Sequence, residues 1–326
     1  MKLLSKTLLP VPTRSCHAST LCAVPGGEGF SLLAAWFGGD RESADNVEIW
    51  LSRGEADGDG HFTRWSAPVQ MSRTTDEACW NPVFWADPRS GGRDVTLFFK
   101  RGGKITLWKT FVRRSRDGGL TWDEERELVP GDCTGGRGPV KDKPLLLRDG
   151  TLLAGASHEN PDGTVWRAFF DRSEDGGLTW ERTDYLETER PVRLIQPTLW
   201  EDESGVHALM RSDSGFLWRT ESADGGRTWS EARPTGLPNN NSGVDLTALP
   251  DGRLALCSNP VGSDWGARTP LSLSVSRDGG ENWIRALDLV RGPGEYSYPA
   301  VICAGDRLFC TFTWRRQRIM AAEVSL

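Results

Sequence analysis

The chain has 326 residues, of which 37% are hydrophobic, and it contains 37 glycines, 19 prolines and 15 tryptophans. Its formal net charge of -6 argues against a nucleic-acid or anionic-membrane partner, because no basic surface would neutralise phosphate groups. The seven cysteines are odd in number and contain no Cys-x-x-Cys pair, so neither a disulfide framework nor a zinc site is expected.

The N-terminal ten residues contain two lysines and a broken apolar run without a small-residue cleavage site. They do not resemble a signal peptide, and no stretch approaches the length of a membrane span. We therefore expect a cytoplasmic protein with no membrane partner. No cofactor and no metal-ligating residues are predicted, and a metal requirement is left open. The oligomeric state is left open by the sequence.

Short strands separated by glycine-rich turns follow one another along the whole chain. Residues 2–9 form an extended segment, and residues 15–21, 31–39 and 47–53 predict three strands of a first unit. Five further units are predicted to begin near residues 80, 143, 194, 241 and 296. No helical period persists for long, so an all-β fold is expected.

One eight-residue phrase occurs four times. The first copy, residues 115–122, reads Ser-Arg-Asp-Gly-Gly-Leu-Thr-Trp, and the others begin at Ser173, Ser222 and Ser276. Its aspartate can accept hydrogen bonds from a turn, its glycines supply positive φ, and its tryptophan can pack between neighbouring sheets. The spacing of roughly 50 residues is that of a four-stranded propeller blade. The sequence therefore predicts one domain, residues 1–326, folded as a six-bladed β-propeller.

Residues 2–9 are predicted to supply the outer strand of the last blade and so to close the ring. The first strand of each blade lines the axis, so polar residues at the strand starts should converge on one funnel, the default ligand site. This set is His17, Asn81, Lys143, Gln196, Asn241 with Asp245, and Tyr298. His158 is a further candidate from a loop, and Trp36, Trp80 and Trp265 could stack on a sugar face.

The repeated phrase is the Asp-box, Ser-x-Asp-x-Gly-x-Thr-Trp, and through it the chain resembles the sialidase (neuraminidase) superfamily, in particular its bacterial BNR-repeat members. The resemblance implies a propeller whose Asp-box hairpins lie away from the catalytic face. It also implies an exo-glycosidase in which arginines hold the carboxylate of a terminal acidic sugar, an aspartate is the acid/base, and a tyrosine is the nucleophile.

The residues that match these roles are distributed over the chain. Tyr298, at the start of the final blade, matches the nucleophile, with Tyr296 as a rival because strand alternation would place both on one face. Arg211 and Arg268 match two of the clamp arginines, although either could pair with a structural carboxylate instead. Asp40 or Asp45, in the loop of residues 38–45, would be the acid/base.

Two positions depart from the sialidase pattern. The strand where the family has its first arginine reads His17-Ala18-Ser19-Thr20-Leu21, and the place of the glutamate that assists the tyrosine reads Gln196. His17 facing Tyr298 among arginines and amides would suit β-elimination from a uronic acid, and propeller-fold polysaccharide lyases are similar in the His-Ala-Ser and Trp-Phe-Gly-Gly stretches. His17 could also be a buried core histidine.

The sequence thus predicts a carbohydrate-active enzyme, sialidase-like, whose partner is a small glycan with an acidic terminal sugar. A uronate lyase and a glycan-binding propeller without catalysis are the alternatives. In all of these interpretations the sugar is bound through its carboxylate.

Overall fold

The computed structural model describes residues 1–27 and 29–326, and in this part of the chain 25 strands form six sheets. Blade 1 contains β2 (Ser15–Gly26), β3 (Gly29–Gly39), β4 (Glu48–Glu55) and β5 (Arg64–Trp65), with β6 (Val69–Gln70) also paired to β4. Blade 2 contains β7 (Cys79–Ala86), β8 (Val95–Arg101), β9 (Lys109–Ser115) and β10 (Arg126–Glu127). Blade 3 contains β11 (Leu145–Leu146), β12 (Leu152–Glu159), β13 (Trp166–Ser173) and β14 (Glu181–Arg182).

Blade 4 contains β15 (Leu194–Glu201), β16 (Val206–Ser212), β17 (Phe216–Ser222) and β18 (Arg233–Pro238). Blade 5 contains β19 (Asp245–Ala248), β20 (Leu254–Ser258), β21 (Leu271–Ser276) and β22 (Ile284–Val290). Blade 6 contains β23 (Tyr296–Ala304), β24 (Arg307–Trp314) and β25 (Arg318–Ser325). Two short 3-10 helices span Pro88–Ser90 and Ile105–Leu107. The prediction of an all-β, six-bladed propeller is confirmed. Among the described residues, no helix is long and apolar enough to cross a membrane.

The ring is closed by strand β1 (Lys2–Leu8), which pairs antiparallel with β25 of blade 6. The N-terminal segment is therefore the outermost strand of the last blade, as the sequence predicts. Glu323 on β25 is 2% exposed and accepts hydrogen bonds from the Ser5 hydroxyl and from the backbone N–H of Phe62 in blade 1. One buried carboxylate thus joins both ends of the chain to the first blade.

Each Asp-box forms the turn between the third and fourth strands of its blade. In the first box, the Asp117 carboxylate accepts hydrogen bonds from the Ser115 and Thr121 hydroxyls and from the backbone N–H groups of Leu120 and Thr121. These donors hold the pKa of Asp117 well below its ordinary value. In the last box Asn282 takes the place of the threonine and donates from Nδ2 to Asp278 at 2.8 Å.

The boxes also join neighbouring blades. The Trp229 indole of the blade 4 box stacks on Phe170 of blade 3, with ring centroids 3.7 Å apart. Arginines at the end of the third strand reach forward to the next box: Arg114 donates to the Gly177 carbonyl at 2.7 Å, and Arg172 donates to the Gly225 carbonyl at 3.1 Å. The repeated phrase therefore specifies the contact between blades as well as the turn.

Candidate active site

One residue near the axis of every blade has a left-handed backbone. The positive φ angles range from 42° to 72°, and the residues are Ala18, Asn81, Lys141, Gln196, Asn241 and Tyr298. In four blades this residue coincides with a break in the register between the first and second strands. The bulge interrupts the alternation of side chains along the strand. In blade 3 the equivalent residue is Lys141, two positions before the predicted Lys143.

Three of these residues, Asn81, Gln196 and Tyr298, line an axial cavity of about 340 Å³. The cavity opens at the end of the propeller where the first strand of each blade begins. The Asp-boxes lie at the opposite end, because each box follows the end of a third strand and the third strand runs parallel to the first. Of the predicted residues, the lining includes His17, Asn81, Gln196, Arg211 and Tyr298, together with Trp80 and Trp265. The other lining residues are Glu42, Ser43, Gly103, Ile105, Trp108, Glu159, Trp166 and Ile195.

Arg211 lines this cavity and is 2% exposed. Its Nε donates to Asn241 Oδ1 at 2.9 Å, and its Nη1 donates to Gln196 Oε1 at 3.3 Å and to the Tyr298 hydroxyl at 2.5 Å. All three acceptors are neutral side chains, and no carboxylate of the described chain forms an ion pair with Arg211. Its Nη2 donates to none of the described residues, so two N–H groups of a buried cation remain available to a ligand.

Tyr298 and His17 lie in contact beside Arg211, with ring centroids 4.2 Å apart. Burial opposes ionisation of Tyr298, but the positive charges of Arg211 and Arg268 outweigh it and hold the pKa of the phenol below its ordinary value. Burial and the neighbouring arginines, Arg316 first among them, hold the pKa of His17 well below its ordinary value. The imidazole is therefore neutral at physiological pH, and its Nδ1 lies 2.8 Å from the Thr313 hydroxyl.

A chain of alternating charges runs along one side of Tyr298. Arg268, whose guanidinium lies 5.5 Å from the Tyr298 ring, donates to Glu295 at 2.8 Å, and Arg316 donates to the same carboxylate at 2.5 Å. Arg316 also forms an ion pair with Glu42. Neither Arg316 nor Glu295 was predicted from the sequence. The signal for Arg316 was the adjacent arginine pair in the tight turn between the last two strands.

The carboxyl groups that line the cavity are Glu42 and Glu159, and neither was predicted. Glu42, Asp40 and Asp45 are all exposed residues of the loop of residues 38–45, but only Glu42 belongs to the cavity lining. Glu159 ends β12 and has no hydrogen-bond or ion-pair partner among residues 1–27 and 29–326. Burial raises the pKa of its carboxyl group, although Arg211 and Arg193 act in the opposite direction. The loop direction, which the sequence does not reveal, decides which acidic residue faces the axis.

Lys143 and Asp245 lie near the axis but outside the cavity lining. The Lys143 ammonium contacts both Asp245 oxygens at 2.9 Å. Asp245, 3% exposed, also accepts from the Thr198 hydroxyl at 3.2 Å and the Val301 N–H at 2.8 Å. This network connects blades 3 to 6, so the structure gives these two residues a stabilising contact.

Three further predicted residues lie away from the cavity. His158 contacts the Tyr185 hydroxyl at 2.9 Å and the Gly136 carbonyl at 3.0 Å. The expectation that Tyr296 shares a face with Tyr298 is wrong, because the bulge at Tyr298 breaks the alternation of side chains along the strand. Tyr296 lies in the core, and its hydroxyl donates a hydrogen bond to the Pro293 carbonyl. Trp36 is fully buried between blades 1 and 6 and cannot stack on a ligand.

The family model described as a BNR repeat-like domain matches residues 30–310. Among curated proteins, none matches the sequence. A crystal structure of a protein of unknown function from Dyadobacter fermentans is 15% identical with a TM-score of 0.77, and the alignment covers 100% of this chain and 99% of that one.

Two sialidases are also similar in structure. Trypanosoma rangeli sialidase in complex with the inhibitor DANA is 15% identical with a TM-score of 0.71, over 99% of this chain and 58% of that chain. A mutant of NanB sialidase from Streptococcus pneumoniae is 13% identical with a TM-score of 0.69, over 96% of this chain and 68% of that chain. At these identities the similarity concerns the fold, and this chain spans only part of either sialidase.

Proposed function

Because the chain belongs to the BNR repeat-like domain family, we propose that it is a carbohydrate-active enzyme of the sialidase type, which binds a terminal acidic sugar through its carboxylate. The observation that carries the proposal is Arg211. Its guanidinium is buried, its acceptors are all neutral, and its Nη2 has no hydrogen-bond partner among the described residues. Such a guanidinium is complementary to a carboxylate.

Arg211 also sets where chemistry would occur. Its Nη1 contacts the Tyr298 hydroxyl, so a carboxylate bound at Nη2 would bring the carbon that bears it next to the phenol oxygen. In a sialic-acid-type sugar that carbon is the anomeric centre. A tyrosine with a lowered pKa is a suitable nucleophile there, because a neutral phenol or its polarised form approaches a carboxylate-bearing centre with less repulsion than a carboxylate would.

In the proposed hydrolysis, the Tyr298 oxygen attacks the anomeric carbon as the bond to the leaving oxygen breaks. The neutral imidazole of His17, which contacts the Tyr298 ring, takes up the phenol proton and returns it to Tyr298 when water releases the sugar. A carboxyl group of the cavity donates its proton to that leaving oxygen and later removes a proton from the water that releases the sugar. We assign this role to Glu42, which the loop of residues 38–45 presents to the cavity, in place of Asp40 or Asp45. Glu159 is the second carboxyl group within the same lining.

Elimination at a uronic acid is the second candidate, and one observation favours it. His17 is neutral, packs on Tyr298, and has an Nε2 atom without a hydrogen-bond partner in the described chain. In a uronic acid the carbon next to the carboxylate carries the proton that elimination removes, and Arg211 would again hold that carboxylate. Gln196, where a sialidase would have a glutamate, agrees with this candidate.

The experiment incubates the purified protein with sialyl- and Kdn-terminated oligosaccharides and with an oligosaccharide whose glucuronate carries a sugar on O4, the group that elimination would expel. Product mass and ultraviolet absorbance are followed together. Products that gain one water without new absorbance are expected for hydrolysis. A new carbon–carbon double bond, seen as absorbance without gain of water, would replace hydrolysis by elimination. Binding without turnover of any of these glycans would reduce the proposal to a glycan-binding propeller.

A further inference from the structure

Two ionisable side chains that line the axial cavity have no counter-charge. Apart from the neutral His17, the acidic and basic residues of the lining are Arg211, Glu42 and Glu159. Glu42 forms an ion pair with Arg316, whereas neither Arg211 nor Glu159 has an ion-pair partner in the described part of the chain. The cavity therefore contains one cation and one carboxyl group that are both left uncompensated.

Both of these groups lie beside Trp166. Glu159, the last residue of β12, is the direct cross-strand partner of Trp166 at the start of β13, so the two side chains project from the same face of blade 3. The guanidinium of Arg211 lies 5.5 Å from the centroid of the Trp166 ring. Arg211 and Glu159 thus belong to one wall of the cavity, and no hydrogen bond or ion pair joins them.

The surroundings of Glu159 favour a cationic group of a ligand. The residue is half-buried, and burial of a carboxylate without a partner is unfavourable, which raises the pKa of its carboxyl group. A ligand hydroxyl could donate one hydrogen bond but would leave the negative charge uncompensated, whereas an ammonium group supplies three donors and the opposite charge. Aromatic faces also attract ammonium groups, and four indole side chains line this cavity: Trp80, Trp108, Trp166 and Trp265.

We propose that the axial cavity selects an acidic sugar that also carries a free amino group, with the carboxylate on Arg211 and the ammonium on Glu159. This inference rests on the proposed function and narrows its substrate class to amino-sugar acids with an unacylated nitrogen. An acetamido group in the same place would remove the positive charge and add bulk beside Glu159. The same acid with a hydroxyl or an acetamido group in place of the amine should therefore bind more weakly.

The test compares, by calorimetry, sugar acids that differ only in this substituent. One pair is the methyl glycosides of neuraminic acid and N-acetylneuraminic acid, and the other set is methyl glucuronoside and its derivatives with one hydroxyl replaced by an amine. The parent protein carries Tyr298→Phe to suppress turnover. Glu159→Gln removes the charge of the proposed ligand and keeps its size. Glu187→Gln is the matched control, because Glu187 is an exposed glutamate of blade 3 that lies outside the axial lining.

We expect an aminated acid of at least one set to bind about tenfold more tightly than its hydroxyl or acetamido counterpart, in the parent and in the Glu187→Gln control. Glu159→Gln should remove this preference without weakening the acids that lack an amine, because the cavity loses a negative charge that repels their carboxylate. Glu159→Ala provides the same comparison if Glu159→Gln does not fold.

Two kinds of failure are distinguishable. If the acids bind the parent without preference for an amine, or if the preference persists after Glu159 is replaced, the assignment of Glu159 is overturned while the carboxylate site at Arg211 stands. Failure of every acid, aminated or not, to bind the parent would overturn the proposed function and this inference with it.

Discussion

Replacing Arg211 by methionine tests the carboxylate site most directly. The structure uses three hydrogen bonds of the guanidinium internally and leaves the two Nη2 N–H groups for a ligand. Hydrogen bonds to charged groups contribute about 1.5–3 kcal/mol, so loss of this contact should weaken binding of an acidic sugar by about 10- to 150-fold. The affinity for the corresponding carboxamide, which lacks the charge, should change far less.

Isothermal titration of the acid and its amide with the wild-type and Arg211→Met proteins measures this discrimination. Arg219→Met is the control, because Arg219 is also a buried arginine of blade 4, at 5% exposure, but it forms ion pairs with Glu221 and Glu281 outside the cavity. Both variants should lose stability, and only Arg211→Met should lose the preference for the acid. An unchanged ratio of acid to amide affinity in Arg211→Met would refute the assignment of Arg211 as the carboxylate ligand.

Three further predictions concern stability and proton transfer. Gly119→Ala should destabilise the protein more than Gly252→Ala in urea unfolding. Both glycines have positive φ, which costs alanine about 1–2 kcal/mol, but only at Gly119 would the new methyl group overlap a leucine of blade 1, adding about 1–3 kcal/mol. Equal losses of unfolding free energy in the two variants would contradict the inter-blade contact. His17 stays neutral in the folded protein, whereas in the unfolded chain it takes up a proton near the ordinary pKa of 6.5. Its contribution to stability is therefore present above that pH and is lost as the pH falls below it. In His17→Phe the urea midpoint should fall less steeply at acid pH than in the wild type, and identical pH profiles of the urea midpoint would argue against a buried neutral imidazole. If Glu42 transfers the proton, Glu42→Gln should lower kcat by about 10²–10⁴-fold, whereas Asp40→Asn should leave kcat nearly unchanged. Both are measured on whichever glycan the protein turns over, and a larger loss in Asp40→Asn would assign the proton transfer to Asp40.

Local sequence was sufficient for the architecture. The Asp-box encodes its own turn through an aspartate, two glycines and a tryptophan that act within eight residues, and its period gives the number of blades. The closing strand was predictable for a similar reason, because a ring of blades leaves one unpaired edge that only the N-terminal segment can cover. Convergence of His17, Asn81, Gln196 and Tyr298 on the axis followed from their places at strand starts.

The details of the site required the tertiary structure. Tyr298 and Tyr296 appear equivalent in a regular strand, but a bulge directs one to the cavity and the other to the core. Glu42 faces the axis because Arg316, 274 residues away along the chain, forms an ion pair with it, and no local pattern contains that contact. Blade count depends on short-range turn chemistry that repeats, whereas the direction of a loop carboxylate depends on a charge supplied once, from the opposite end of the chain.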